Sequence, residues 1–322
     1  MPAATAPAPG AVRAGGPTGP GLRLARMLTR DFDGRSETSL DPDLRVFVGD
    51  LARPYGVPLR EDLLRQGVGH SYGEMAESLL RDALPDGEDV DLLILAFSSP
   101  DVRPGRSTAV HLSRFCPGSP LAFAVCDQGS AAAFTALRIA TDYTRTGACR
   151  RAVVLVMETA HLHYGPALPV ALPVRHCAVL LVCEATDGAG IRVRQSSGRP
   201  ADPAPALVRA ERAALGPAAA VVLGPDLTAV DLDLAGFGSA PTDVGSAPGA
   251  GEGPPDSRPA DGDPVPGRTV AGRTGQPLTG VWTALAERLP HWRAEHRPVL
   301  VADFDRRLGR LSTLTLPAGV GP

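Results

Sequence analysis

One serine stands where the chain could do nucleophilic chemistry. In AFAVCDQGSAAAFTALRIA, residues 122–140, a run of strand character stops at Asp127-Gln128-Gly129, and an alanine-rich helical run begins at Ser130. A hydroxyl at the mouth of a helix faces unbonded backbone N–H groups and the positive end of the helix dipole. A cysteine thiol gains enough from that field to ionise near neutral pH, whereas a serine hydroxyl needs an adjacent general base. Ser130 has a second reading that needs no chemistry, as a helix N-cap that stabilises the helix by about 1 kcal/mol relative to alanine. Cys126, four residues earlier, is a possible substitute thiol, but the alternation in AFAVCD places it in the core at a strand end. His161 and His163 form an H-x-H pair before Tyr164; with no third ligand at a metal-binding spacing, no metal is expected. The chain contains no lysine, which excludes Schiff-base chemistry and phosphate-loop lysines.

Composition narrows the partners. A net charge of -3 over 322 residues, with no basic run interleaved with aromatics, argues against nucleic acid. The five cysteines are Cys116, Cys126, Cys149, Cys177 and Cys183. They are odd in number, form no C-x-x-C pair and sit mostly in apolar runs, the pattern of buried thiols in a reducing cytosol. The start of the chain lacks a charged-then-apolar signal, and no run of eighteen apolar residues follows. A cytoplasmic protein, away from membranes and behind a flexible leader over residues 1–21, is expected.

The elements that must position Ser130 alternate strand and helix. SYGEMAESLLRDALPDG predicts a helix capped by Ser71 and ended by Pro85 and Gly87. VDLLILAFSS predicts a strand covered on both faces, STAVHLSRFC a short helix, and LAFAVCD a second buried strand. The helix from Ser130 follows, then strands at RAVVLVMET and RHCAVLLVCEA. LRLARMLTRDFDG fits strand or helix, and PDLRVFVGDLARPYG is mixed. A fainter repeat fills the second half: strands at AAAVVLGPDL and VDLDLAGF, a helix at PLTGVWTALAERLPHW, and a closing pair at RPVLVADF and GRLSTLTL. Residues 239–268, rich in Pro, Gly, Asp, Ala and Ser, hold too little apolar surface to order themselves and are expected to be an inserted disordered loop. The alternation predicts a layered α/β fold with a mainly parallel sheet.

This order of elements resembles the thiolase-fold ketosynthases, and most of all the ketoacyl synthase III group, over about residues 45–316. SYGEMAESLLRDAL before VDLLILAFSSPD, RSTAVHLSRFC, and FAVCDQGSAAAFTALRIATDYTRTGACRRAVVLVMET carry the resemblance. It implies two βαβαβ-type halves in an α/β/α/β/α arrangement, residues 22–200 and 201–322, the second reduced. It also puts Ser130 in the place of the family's nucleophilic cysteine. The family's histidine segment matches GPDL, with Asp226, and its asparagine segment matches AGRTG, with Arg273; both are carried over as substrate-binding positions. His176, at the family's Gly-Asp-Gly-Ala segment, is the best candidate base for Ser130. Cysteine, histidine and asparagine are all replaced, and DFDRRLGRLSTL stands where the family has a glycine-rich turn. The resemblance therefore implies a catalytically degenerate subunit of polyketide or fatty-acid-like secondary metabolism. Such a subunit would form a homodimer, or a heterodimer with a complete ketosynthase, and would meet acyl carrier protein. Its ligands would be acyl-CoA or phosphopantetheine-linked acyl groups, with no further cofactor. Two alternatives stay open: a Ser130-dependent acyltransferase, and an acyl-thioester binding module.

Overall fold

The computed structural model describes residues 19–84, 88–166, 170, 172–197, 203–227 and 269–318. Its first half runs β1 (Gly21–Phe32), α1 (Glu37–Leu40), α2 (Pro42–Ala52), α3 (Glu61–Gln66), α4 (Tyr72–Ala83), β2 (Leu92–Phe97), α5 (Thr108–Ser113), β3 (Leu121–Val125), α6 (Ala132–Arg145), β4 (Arg151–Glu158) and β5 (His176–Thr186). The second half runs β6 (Arg192–Ser197), α7 (Pro203–Leu215), β7 (Ala220–Leu223), β8 (Thr269–Ala271), α8 (Gly280–Ala294), β9 (Val299–Asp305) and β10 (Arg310–Leu316).

The two sheets are copies of one plan. Their orders, β1-β5-β4-β2-β3 and β6-β10-β9-β7-β8, map strand for strand. The directions match too, with two parallel and two antiparallel pairings in each. The sheets are thus mixed and not mainly parallel. A strand buried on both faces, such as β5, has the same continuous apolar run in either direction, so burial pattern does not encode direction. β6 pairs with β10, so residues 192–197, which sequence reading leaves in the first half, belong to the second sheet.

Five layers result. α4 and α5 cover the outer face of the first sheet through Tyr72, Met75, Leu79 and Leu112. α7 covers the outer face of the second through Ala204 and Val208. Between the sheets lie α6 and α8, whose Phe134 and Trp282 rings meet at 4.9 Å. The helix expected at Ser71 forms with a full capping box, Ser71 Oγ accepting from Glu74 N at 3.2 Å and Glu74 Oε2 from Ser71 N at 2.9 Å. LAFAVCD differs from expectation: β3 is a sheet edge, with Leu121, Ala124 and Cys126 exposed. Pro85, Gly87, the VDLDLAGF strand and the 239–268 insertion fall outside the described residues.

A helix that starts inside a protein must find partners for its first N–H groups. Glu158, the last residue of β4 and 0 % exposed, serves α8. Its carboxylate accepts from Leu278 N at 2.7 Å, Thr279 N at 2.9 Å, Thr279 Oγ1 at 2.5 Å and Gln276 Nε2 at 3.1 Å. Burial pushes its carboxyl upward and these bonds pull it back. Truncation would strand several buried donors at once, so Glu158→Ala is expected to cost on the order of 3 kcal/mol or more, and Glu158→Gln distinctly less. Urea denaturation of the two variants checks the order.

Candidate functional site

At the elbow the backbone turns sharply. Asp127 has φ 59° and Gly129 φ 51°, and a 3₁₀ turn over Gly129–Ala131 leads into α6. Ser130 is half-buried. Its side chain does not cap α6; the cap position falls at Ala131, which makes no side-chain bond. The anion at this helix start comes from the other half of the molecule. Asp305, the last residue of β9, accepts from Ser130 N at 3.0 Å and, through Oδ1, from Leu308 N at 2.9 Å. β9 occupies in the second sheet the place of β4 in the first, so Asp305 does for α6 what Glu158 does for α8.

Asp303 lies two residues earlier on the same face of β9 and is 1 % exposed. Burial is the main reason that its carboxyl is pushed up to about 7; the Ser130 hydroxyl and Phe304 N–H favour the anion, and Asp305 and Asp226 oppose it. Asp303 Oδ2 is buried with no hydrogen-bond partner. Two glycines make room for these groups. A Cβ on Gly129 would stand 1.8 Å from Asp305 Oδ2, and one on Gly224 would stand 1.8 Å from Asp303 Oδ1. Asp226, two residues beyond Gly224, is paired with Arg306 at 2.8 Å. Beneath the turn the layer is polar: Thr135 Oγ1 donates to Gln128 Oε1 at 2.6 Å, and Gln195 Nε2 donates to Ala131 O at 3.2 Å and Ser312 Oγ at 3.3 Å.

Of the residues carried over from sequence, the structure gathers Ser130 and Asp226 and sends the other two elsewhere. His176 is not the base of Ser130. It opens β5, three strand steps from β3, about 14 Å along the sheet. Both its ring nitrogens are taken, Nδ1 by Thr159 Oγ1 at 2.9 Å and Nε2 by His161 Nδ1 at 2.9 Å. Arg273 turns to β1, where it grips Asp31 at 2.7 and 2.8 Å. Cys126 is exposed and not a core residue, because β3 ends at Val125 on an uncovered edge. Partial burial and the Asp127 carboxylate push its thiol upward, so it is no substitute thiolate. Asp303 and Asp305 escaped sequence reading, although alternation within VLVADFD sets both on the face of Val299 and Val301. Among the described residues no group of three His, Cys, Asp or Glu is arranged to hold a metal, and no helix is long and apolar enough to cross a membrane.

The duplicated mixed sheets enclosing two central helices define a thiolase-like fold. Solved structures agree. The chain is similar to a 3-oxoacyl-(acyl-carrier protein) synthase from Burkholderia xenovorans, with 14 % identity, 94 % of this chain and 95 % of that one covered, and a TM-score of 0.58. It is similar to AbyA1, a tetronic acid condensing enzyme (15 %, 92 % and 99 %, TM-score 0.57). It is also similar to a Xanthomonas campestris OleA variant with bound lauric acid and lauroyl-CoA (15 %, 92 % and 98 %, TM-score 0.55). No protein-family model and no curated protein matches the chain.

Asp303 makes stability depend on pH in a definite sense. Its carboxyl, raised in the fold to about 7, stays protonated after an unfolded aspartate has ionised at about 3.9. The folded state then holds the extra proton, so stability is fully present below about pH 4 and falls as pH rises toward 7. Asp303→Asn is expected to flatten that slope, read from denaturant midpoints between about pH 4 and 8.

Proposed function

We propose that the chain is a ketosynthase-III-like subunit that does not itself condense acyl groups and works beside a complete ketosynthase in the cytoplasm. Its setting is polyketide or fatty-acid-like secondary metabolism, and its ligands are acyl chains on CoA or on the phosphopantetheine of an acyl carrier protein. One observation carries the reading: the Asp305 carboxylate 3.0 Å from Ser130 N. Attack on a thioester places negative charge beside the nucleophile, and that charge needs free donors. Here the elbow N–H is spent on a carboxylate, and Asp303 and Asp226 stand behind it. A field built this way disfavours both an oxyanion and a thiolate. The tetronic acid condensing activity of one similar structure, the 3-oxoacyl-(acyl-carrier protein) synthase identity of another and the lauroyl-CoA bound to the third support the acyl-thioester setting. The open edge of β3, with exposed Leu121 and Ala124 on the strand that leads into the elbow, supports a dimer with a second copy or with a ketosynthase, since an unpaired edge is a template for another strand.

A second reading is favoured by Asp303 alone. A carboxylate beside the Ser130 hydroxyl and poised at about 7 is matched to general-base work. Ser130 Oγ would attack the thioester carbonyl carbon, its proton passing to Asp303 as the C–S bond breaks and the thiolate leaves; an acceptor would then take the acyl group.

Intact mass after incubation with short acyl-CoA and acyl-carrier thioesters separates the two readings. No adduct and no turnover by the isolated chain is expected. An adduct that vanishes in Ser130→Ala and forms on the order of 100-fold more slowly in Asp303→Asn would overturn the first reading and install the second. For the interface, Leu121→Asp is expected to abolish self-association or ketosynthase capture in sedimentation measurements. Association unchanged by that charge on the edge would rule out β3 as the contact.

A further inference from the structure

Four imidazoles meet near the start of β5. His176 lies 5.0 Å from His161 and 5.7 Å from His70 between ring centroids, and His163 is near enough for its charge to repel one on His161 or His176. Their tautomers follow from donors that have no choice. Ala160 N–H can only donate, and it meets His176 Nδ1 at 3.3 Å, so that nitrogen accepts. The neutral ring then carries its proton on Nε2 and donates to His161 Nδ1 at 2.9 Å. His163 Nε2 faces the Val68 carbonyl at 2.8 Å, which can only accept, so His163 Nδ1 is bare. That nitrogen and His70 Nε2 are buried with no hydrogen-bond partner. A proton added to His176 or His161 breaks the bond its Nδ1 accepts, and a proton added to His163 enters a site with no acceptor.

The surroundings offer no relief. Glu158 is committed to α8, and Asp31 to Arg273 with Arg175 at 3.7 Å. Asp101 is bonded to Thr108 Oγ1 and to Tyr72 N. Arg60 repels a charge on His161, Arg175 precedes His176, and Arg35 is bridged to Val68. Phe32 packs on His70, and the buried Tyr72 hydroxyl is spent on Ser99.

The cluster sits on a fastening. His163 O accepts from Arg60 N at 2.7 Å, Gly165 N donates to Pro58 O at 2.7 Å, and Leu59 bridges Tyr164. His163 Nε2 is also 3.2 Å from Ser39 Oγ. These contacts hold the α1–α3 segment to the loop that leaves β4. We propose that this histidine cluster forms an acid-sensitive latch: when His161, His163 and His176 take up protons, residues 159–165 part from residues 58–60 and the α1–α3 segment is released from the first sheet. Burial holds His161 and His163 below the usual range, with repulsion from His163 and Arg60 adding to it at His161, and burial with repulsion from the neighbouring histidines pushes His176 down to about 3. The closed form therefore binds fewer protons than the open one below about pH 6.5, and the latch weakens as pH falls from there.

Hydrogen exchange of the full chain, corrected for intrinsic rates, tests this between about pH 7.5 and 5. Protection over residues 58–60 and 159–165 is expected to fall by on the order of tenfold or more per pH unit below about 6, while amides of β2 and β4 stay protected. Loss only together with β2 and β4 would overturn the proposal. His163→Gln with His176→Gln is expected to cut the pH slope of that protection to about half or less, and an unchanged slope in the folded double variant would refute the latch. If that variant does not fold, imidazole proton resonances of the wild-type chain decide. Independent titrations of His161, His163 and His176 near about 6.5 overturn the proposal, and their joint titration at lower pH with loss of the segment's signals sustains it.

Discussion

Each central helix of this protein begins against a carboxylate delivered from the opposite half. Glu158, at the end of β4, holds the amides that open α8, and Asp305, at the end of β9, takes the elbow amide that leads into α6. The arrangement is a consequence of duplication. β4 and β9 have the same place in their sheets, and both central helices are enclosed by sheets on two sides. A helix so enclosed cannot satisfy its first N–H groups with bulk water. The two capping contacts thus fix how the halves sit on each other, and with that the shape of everything at the elbow.

The two capping sites differ in a way that bears on function. At α8 the carboxylate is sealed and saturated with donors, which suits a structural role. At α6 it shares the space with Ser130, with the buried Asp303 and with Asp226 at the mouth. Negative charge is concentrated where acyl-transfer chemistry calls for hydrogen-bond donors. The glycines that admit these carboxylates, Gly129 and Gly224, belong to the same adaptation, because any side chain there would displace them.

The histidines show how far tertiary placement can move residues from an expected role. His176 is as polar and as titratable as a catalytic base must be, yet the strand order separates it from Ser130 and the Ala160 amide fixes its tautomer. His161 and His163, an H-x-H pair with no third ligand at a metal-binding spacing, join an imidazole cluster at the edge of the α1–α3 segment.

Alternating apolar runs were enough to name most of the strands and helices, the Ser71 cap and the elbow at Gly129-Ser130, because burial on one face or two leaves a local period in the chain. That period fixed the faces on which Asp303 and Asp305 would lie, and the order of elements fixed the fold class. It carried no information on strand direction, on which strand would end as an edge, or on which side chains from distant segments would converge. β3 therefore proved open and Cys126 exposed, Arg273 went to Asp31, and the carboxylate at Ser130 N came from Asp305, 175 residues away. Those outcomes depend on the sheet order and on the competition of buried donors for acceptors, and neither exists until the two halves have closed on their central helices.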